Sequence, residues 1–140
     1  MTTNVNIQNG FSAGLTLDSS VQPTLDGSYW GISSNVANGN QLTQVLWMNR
    51  DEGITKGDTW IFTTSFQLAG ITIQLQESLT GTTFSSDIQI QIMAGTQSSG
   101  WSDANTSLQF KGNDGNLYQI DGSFFPNGTY DDVTYTLLNV

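Results

Sequence analysis

The chain has 140 residues, of which twelve are acidic and three are basic, so its formal net charge is −9. It contains no cysteine and no histidine, which excludes disulfides, thiolate metal sites and catalysis by an imidazole base. The negative field repels phosphate, which argues against nucleic acid and anionic membranes as partners.

Alternation of apolar and polar residues with a period of two predicts a series of half-buried antiparallel β-strands. Segments 108–110 and 117–125 predict further strands, and residues 40–49 fit no element clearly. In chain order, the residues predicted to share one face of each remaining strand are Val5 and Ile7; Leu15 and Leu17; Trp60, Phe62, Thr64 and Phe66; Ile71, Ile73 and Leu75; Ile88, Ile90 and Ile92; and Val133, Tyr135 and Leu137.

Turn signals rich in Gly, Asn and Asp separate these strands at close intervals, and the segment around Asp114-Gly115 is a good hairpin candidate. Many short strands with frequent turns predict a β-sandwich or a small barrel. We expect an all-β, single-domain antiparallel β-sandwich over residues 1–140. No apolar run reaches the length of a membrane span, about 18 residues, and the first residues lack the features of a classical signal peptide.

Two adjacent acidic pairs, Asp51-Glu52 and Asp131-Asp132, are the candidates for carboxylate catalysis. A glycosidase needs two carboxyl groups that flank one bond. Neighbouring residues on a strand point to opposite faces, so neither pair can meet this need by itself. Serine is plentiful, but the sequence offers no base that could activate it. We therefore expect no enzyme activity and no catalytic residue.

Two segments could supply oxygen ligands to calcium, Asn113-Asp114-Gly115-Asn116 and Asp103-Ala104-Asn105. Neither has the ligand spacing of a recognised calcium loop, and no Glu closes either one. The Gly-rich stretches also lack the lysine context of a phosphate-binding loop. A hydrogen-bonded turn is the favoured interpretation of both segments, and we expect no metal and no cofactor.

The aromatic residues are the strongest candidates for a binding site. Exposed Trp and Tyr side chains favour the membrane–water interface and also stack on sugars, whereas a buried Trp simply fills the core. Trp60 lies on a clear apolar face, which favours the core. Trp101 lies in the Ser- and Gly-rich segment 98–102, which favours exposure, and for Trp30 and Trp47 both roles stay open. The candidate membrane- or lipid-binding residues are Tyr29, Trp30, Trp47 and Trp101.

Several stretches of the chain resemble, in the same order, segments of the aegerolysin family. The most specific is Leu25-Asp26-Gly27-Ser28-Tyr29-Trp30 followed by Asn35-Val36-Ala37-Asn38, and the others are residues 5–9, 15–17, 53–62 and 132–137. Within the family, the resemblance is closest to the small component of a Bacillus binary insecticidal crystal toxin. It covers most of the chain with breaks. The chain departs from the toxin around residues 88–110, where it carries extra residues. This region includes Trp101, so the resemblance assigns no lipid site there.

The resemblance implies a non-catalytic β-sandwich that recognises membrane sphingolipid, such as ceramide phosphoethanolamine or sphingomyelin with sterol. It also implies a second, larger protein that forms the pore, and leaderless release or deposition in intracellular inclusions before action at a target-cell membrane. The expected function is therefore the small subunit of a binary pore-forming insecticidal toxin. Two alternatives stay open, a carbohydrate-binding lectin and a self-assembling inclusion protein that forms homo-oligomers.

Overall fold

The computed structural model of the protein describes residues 2–10, 15–21, 27–30, 35–36, 41–48, 59–81, 86–127 and 130–140. Side chains are described for residues 5–8, 10, 59, 61–80, 88–124 and 132–140. The described residues form twelve β-strands and include no helix long and apolar enough to cross a membrane. The strands are β1 (Thr2–Gly10), β2 (Leu15–Val21), β3 (Gly27–Trp30), β4 (Asn35–Val36), β5 (Gln41–Met48), β6 (Thr59–Leu68), β7 (Ile71–Gly81), β8 (Ser86–Ala94), β9 (Gln97–Ser98), β10 (Thr106–Lys111), β11 (Leu117–Asn127) and β12 (Tyr130–Asn139).

The described strands form two six-stranded sheets. The first sheet has the order β10-β11-β12-β1-β5-β3, and the second sheet has the order β4-β2-β6-β7-β8-β9. The described strand pairs are antiparallel except β1 with β12, which run parallel with Val5 opposite Val133. The predicted all-β antiparallel sandwich is thus confirmed, with one parallel pair as a departure. Residues 40–49, which fit no element clearly in the sequence, contain β5, and this strand is paired on both sides by β1 and β3.

The inner faces of the two sheets pack together into one apolar core. Because successive side chains of a strand point to opposite faces, the residues at every second position that the sequence predicts to share a face lie on the inner side of each sheet. On β6, for example, Phe62, Thr64 and Phe66 are buried as predicted. Full burial of one large apolar side chain contributes about 1.5–3 kcal/mol. Three predicted inner-face side chains lie outside those that the structure describes: Leu15, Leu17 and Trp60. The buried core residues are Val5, Ile7, Phe62, Phe66, Leu68, Ile73, Leu75, Leu79, Ile88, Ile90, Ile92, Ala94, Phe110, Tyr118, Ile120, Val133, Tyr135 and Leu137.

Two hairpin turns, one from each sheet, meet at one end of the sandwich. The turn between β6 and β7 consists of Ala69 (φ 48°) and Gly70 (φ 77°), and two positive φ values are the signature of a two-residue type I′ turn. The turn between β10 and β11 has Gly115 at φ 83°, which confirms the hairpin predicted at Asp114-Gly115. The backbone N–H of Asn113 donates to the carbonyl oxygen of Ala69 at 2.9 Å, so this contact fixes the two sheets to each other.

Candidate functional site

The segment that follows β8 turns back along it and forms an edge of the second sheet. Beyond β9, the N–H of Ser99 donates to the carbonyl of Ile92 at 2.9 Å. Ile90 and Ser102 then exchange two backbone hydrogen bonds of 2.9 Å each. Between these fixed points the pairing register shifts by one residue, so residues 100–101 accommodate a β-bulge. We call residues 98–102 the bulge segment.

Serine side chains hold the bulge segment in place. The N–H of Ile92 donates to Oγ of Ser99 at 2.9 Å, and this hydroxyl donates to the carbonyl of Gly100 at 2.9 Å. Oγ of Ser98 accepts from the N–H of Gly100 at 2.9 Å. Gly100 has a φ of 72°, a conformation that residues with a side chain rarely adopt. Trp101 is therefore carried on a backbone whose position is set by its own hydrogen bonds.

Trp101 projects from the bulge segment with 40% of its surface exposed, as its place in a Ser- and Gly-rich stretch predicts. Among the side chains that the structure describes, it is the only exposed aromatic ring. The indole combines a large apolar body with one N–H donor, which suits the boundary between water and an apolar phase. The remaining large apolar side chains that are exposed within the described set are Ile61, Leu117 and Val140.

The outer face of the second sheet carries a chain of uncharged hydrogen bonds that ends at the bulge segment. Gln76 Nε2 donates to Thr63 Oγ1 at 3.2 Å, and Gln76 Oε1 accepts from Gln91 Nε2 at 2.8 Å. Gln91 Oε1 in turn accepts from Ser98 Oγ at 3.0 Å. No described side chain on the outer face of β6 to β9 is charged, although the whole chain has a net charge of −9. The described part of this outer face is therefore polar and uncharged, and the exposed Asp103 lies two residues beyond Trp101.

The other three candidate residues lie in the first sheet, where Tyr29 and Trp30 belong to β3 and Trp47 belongs to β5. These two strands are neighbours, and Trp47 pairs with Ser28. The side chains of the three aromatic residues lie outside those that the structure describes. β3 is the edge of the first sheet opposite β10, whereas β8 packs over β10 and β11. At a strand spacing of about 4.8 Å, Trp101 is roughly 20 Å from these residues, so the structure separates the four candidates into two groups.

Of the two acidic pairs, the structure describes the backbone of Asp131 and Asp132, which are successive residues of β12, and the side chain of Asp132 alone. Asp51 and Glu52 lie outside the described residues. The described residues also contain no group of three or more His, Cys, Asp or Glu side chains that could hold a metal ion.

The carboxylate of Asp114 is used within its own turn. Its Oδ1 accepts from the N–H of Asn116 at 3.0 Å, and its Oδ2 accepts from the hydroxyl of Tyr118 at 2.5 Å and from Nδ2 of Asn116 at 3.2 Å. These hydrogen bonds hold the pKa of Asp114 below its usual value, and the bond from Tyr118 has the largest effect. The hydrogen bond between the two residues also raises the pKa of Tyr118. The hydrogen-bonded turn predicted for this segment is confirmed. Asp103, in the other segment considered for calcium, is exposed.

Glu77 is a carboxyl group that the sequence analysis does not include among its candidates. It lies on β7 with its side chain in the core, and it is 0% exposed. Burial raises the pKa of Glu77 to about 8, against the opposing effect of a hydrogen bond from Tyr135. The sequence contains a signal for the burial of Glu77. Glu77 lies two residues from both Leu75 and Leu79 and is therefore in phase with the apolar face of its strand.

The chain is similar to known proteins in its structure rather than its sequence. No protein-family model and no curated protein matches it. Among solved structures, it is similar to the crystal structure of the lipid binding protein Nakanori, with a TM-score of 0.65 and 10% sequence identity, over 99% of this chain and 71% of that chain. At this level of identity the likeness shows a shared fold. The fold prediction is supported, while membership of the aegerolysin family and the toxin role stay predictions.

Proposed function

We propose that this chain is a membrane-lipid-binding β-sandwich that acts as the small subunit of a binary pore-forming insecticidal toxin. The observation that carries the lipid-binding part is the exposed Trp101 on a hydrogen-bonded bulge beside an uncharged polar face. The toxin role rests on the resemblance to the aegerolysin family described above.

The bulge segment has the properties that a membrane contact requires. Its internal hydrogen bonds reduce the conformational entropy that ordering a flexible loop on a membrane would cost. Trp101 can enter the interfacial region with its ring while its N–H donates to water or to a headgroup oxygen. The neighbouring uncharged face is not repelled by a zwitterionic headgroup, whereas the net charge of the protein disfavours anionic lipids. A small number of interfacial aromatic residues gives reversible membrane association, which suits a subunit that recognises the membrane for a partner.

The fold also supports a lipid as the class of ligand, because Nakanori, which shares it, is described as a lipid binding protein. The finer elements of the proposal come from the family resemblance. They are recognition of ceramide phosphoethanolamine or of sphingomyelin with sterol, and action with a second, larger protein that forms the pore. In this proposal Tyr29, Trp30 and Trp47 form a separate contact region at the other edge of the sandwich.

Replacing Trp101 with alanine is expected to weaken membrane binding by about tenfold, because a Trp→Ala change removes the apolar surface that enters the interface. The fold is expected to remain intact, because the hydrogen bonds that hold the bulge segment come from the backbone and from Ser98 and Ser99. Binding would be measured by co-sedimentation with vesicles of sphingomyelin and sterol, and separately with vesicles that contain ceramide phosphoethanolamine. Phosphatidylcholine vesicles would serve as the lipid control.

Leu117→Ala provides a matched protein control, because Leu117 is also apolar and is 49% exposed, but lies at the end of the sandwich where the turn of residues 112–116 is located. This variant is expected to bind vesicles as the unaltered protein does. Unchanged binding by Trp101→Ala would remove Trp101 from the site. Failure of the unaltered protein to pellet with either sphingolipid vesicle, together with haemagglutination that a simple sugar blocks, would favour the lectin instead.

A further inference from the structure

Glu77 lies at the centre of the contact between the two sheets. Its register neighbours are Phe62 on β6 and Ile90 on β8, and both of these side chains are fully buried. Its side chain reaches across to β12 of the first sheet, where Oε2 lies 2.8 Å from the hydroxyl of Tyr135. Tyr135 is itself 0% exposed. One hydrogen bond inside the core thus connects the second sheet to the first.

The hydrogen-bond geometry around the hydroxyl of Tyr135 fits a neutral Glu77 side chain. The hydroxyl of Tyr135 also lies 3.2 Å from the carbonyl oxygen of Gln76, so two acceptors face a group that has one hydrogen to donate. If Glu77 is protonated, Oε2–H donates to Tyr135 and Tyr135 donates to Gln76, and each contact has its own hydrogen. If Glu77 is ionised, the two acceptors compete for that hydrogen. Oε1 of Glu77 has no hydrogen-bond partner among the described protein groups.

We propose that Glu77 and Tyr135 form a protonation-dependent latch between the two sheets, closed while Glu77 is a neutral acid and released when Glu77 ionises. The latch is a property of the sandwich core and does not depend on the lipid-binding function proposed above.

Ionisation would place a charge where the described surroundings offer little to stabilise it. A buried charge is tolerated when it is paired and fully hydrogen-bonded, but among the described residues the ionised Glu77 would have one hydrogen bond and no cation. The inward-facing side chains of the strands packed around it are apolar or hydroxylated wherever they are described. Among the described side chains, two further titratable groups belong to this interior: Tyr135, which contacts Glu77, and Tyr118 on β11, whose hydroxyl is bonded to Asp114 at the end of the sandwich. Lys111, on β10, is exposed.

The direction of the pH effect follows from the pKa of Glu77, which burial raises from 4.5 to about 8. A carboxyl group with a raised pKa in the folded state contributes stability that is fully present below its unfolded pKa. This contribution is lost as the pH rises through the folded pKa. Between pH 4.5 and about 8, the unfolding equilibrium constant is expected to rise by about tenfold per pH unit from this group. Alkaline conditions therefore release the latch, and acidic conditions keep it closed.

The test compares the unaltered chain with Glu77→Gln by urea unfolding at a series of pH values from 5 to about 9. The Gln side chain has nearly the shape of Glu and cannot ionise, and its Nε2 can donate to Tyr135 as the neutral acid does. The unaltered chain is expected to lose stability steadily up to pH 8, with an increase in the unfolding constant on the order of 10³-fold that is absent from Glu77→Gln. Asp103→Asn, which removes an exposed carboxyl group, is the charge-matched control and should follow the unaltered chain.

Parallel pH dependence in the unaltered and Glu77→Gln proteins would overturn the latch. If Glu77→Gln does not fold, the carboxyl carbons of the unaltered protein can be titrated by ¹³C NMR. One Glu resonance that changes near pH 8 would support the latch. Titration of every Glu carboxyl below pH 6 would overturn it. Dye binding to exposed apolar surface, measured over the same pH range, is expected to rise above pH 8 in the unaltered protein.

Discussion

Truncation of Phe66 to alanine is expected to lower the free energy of unfolding by about 3–5 kcal/mol. Phe66 is among the largest fully buried side chains, and its strand, β6, lies between β2 and β7, where Phe66 pairs with Leu17 and Ile73. The loss combines the transfer energy of the ring with a cavity that the surrounding sheets cannot fill. Domains of this size are stable by about 5–15 kcal/mol, so this single change removes a large fraction of the total.

Ile61→Ala on the same strand is the control for this experiment. Ile61 is 42% exposed on the outer face, so its truncation is expected to cost less than about 1 kcal/mol. Both variants would be unfolded in urea near pH 5, where the core carboxyl group is neutral. Equal losses in the two variants would contradict the assignment of the inner and outer faces of β6.

Gly122→Ala is expected to destabilise the protein by about 1–3 kcal/mol through overpacking between the sheets. Gly122 lies on β11 of the first sheet, and a Cβ added to it would lie 2.6 Å from Cδ1 of Ile90 and 3.5 Å from Cδ1 of Ile92, both on β8 of the second sheet. Ile90 is fully buried, so its terminal methyl group cannot move without displacing other core side chains. A glycine at this position therefore allows the two sheets to approach each other closely.

A second substitution tests this cause directly. Ile90→Val removes Cδ1 and by itself should cost about 0.5–1.5 kcal/mol. In the Gly122→Ala, Ile90→Val double variant, the new methyl group occupies the space that Cδ1 leaves. The combined loss is therefore expected to be smaller than the sum of the two single losses by about 0.5 kcal/mol or more. Strictly additive losses would mean that the cost of Gly122→Ala arises elsewhere.

The inner faces of the strands were predictable because they depend on a local pattern. Alternation along β6 identified Phe62, Thr64 and Phe66, and the structure buries all three. Glu77 follows the same alternation on β7, but it has no acidic neighbour in the sequence and so does not stand out as a paired carboxylate. The lesson is that an acidic residue in phase with an apolar face is as informative as an acidic cluster.

Features that depend on distant parts of the chain were not predictable from such patterns. The turn at Ala69-Gly70 lacks the Asn-Gly or Asp-Gly sequence of a typical two-residue hairpin, and Ala69 adopts a positive φ with its carbonyl bonded to Asn113 of the other sheet. β5 is recognisable as a strand once its neighbours β1 and β3 are known.

The candidate site likewise has features that the sequence predicts and features that it does not. The exposure of Trp101 followed from the local composition of residues 98–102. The β-bulge that presents it depends on the register against β8, which no local pattern reports. The separation of Trp101 from Tyr29, Trp30 and Trp47 depends on the order of strands in both sheets. That order cannot be predicted from local sequence patterns.

The parallel pairing of β1 with β12 has a consequence for synthesis on the ribosome. Val5 is synthesised long before its pairing partner Val133, because most of the 140-residue sequence lies between them. The hairpins of β6, β7 and β8 involve neighbouring segments and can form while translation continues. One side of β1 stays without its native partner until β12 has left the exit tunnel. The first sheet is therefore expected to close last, and its nascent edge is where a chaperone would be needed.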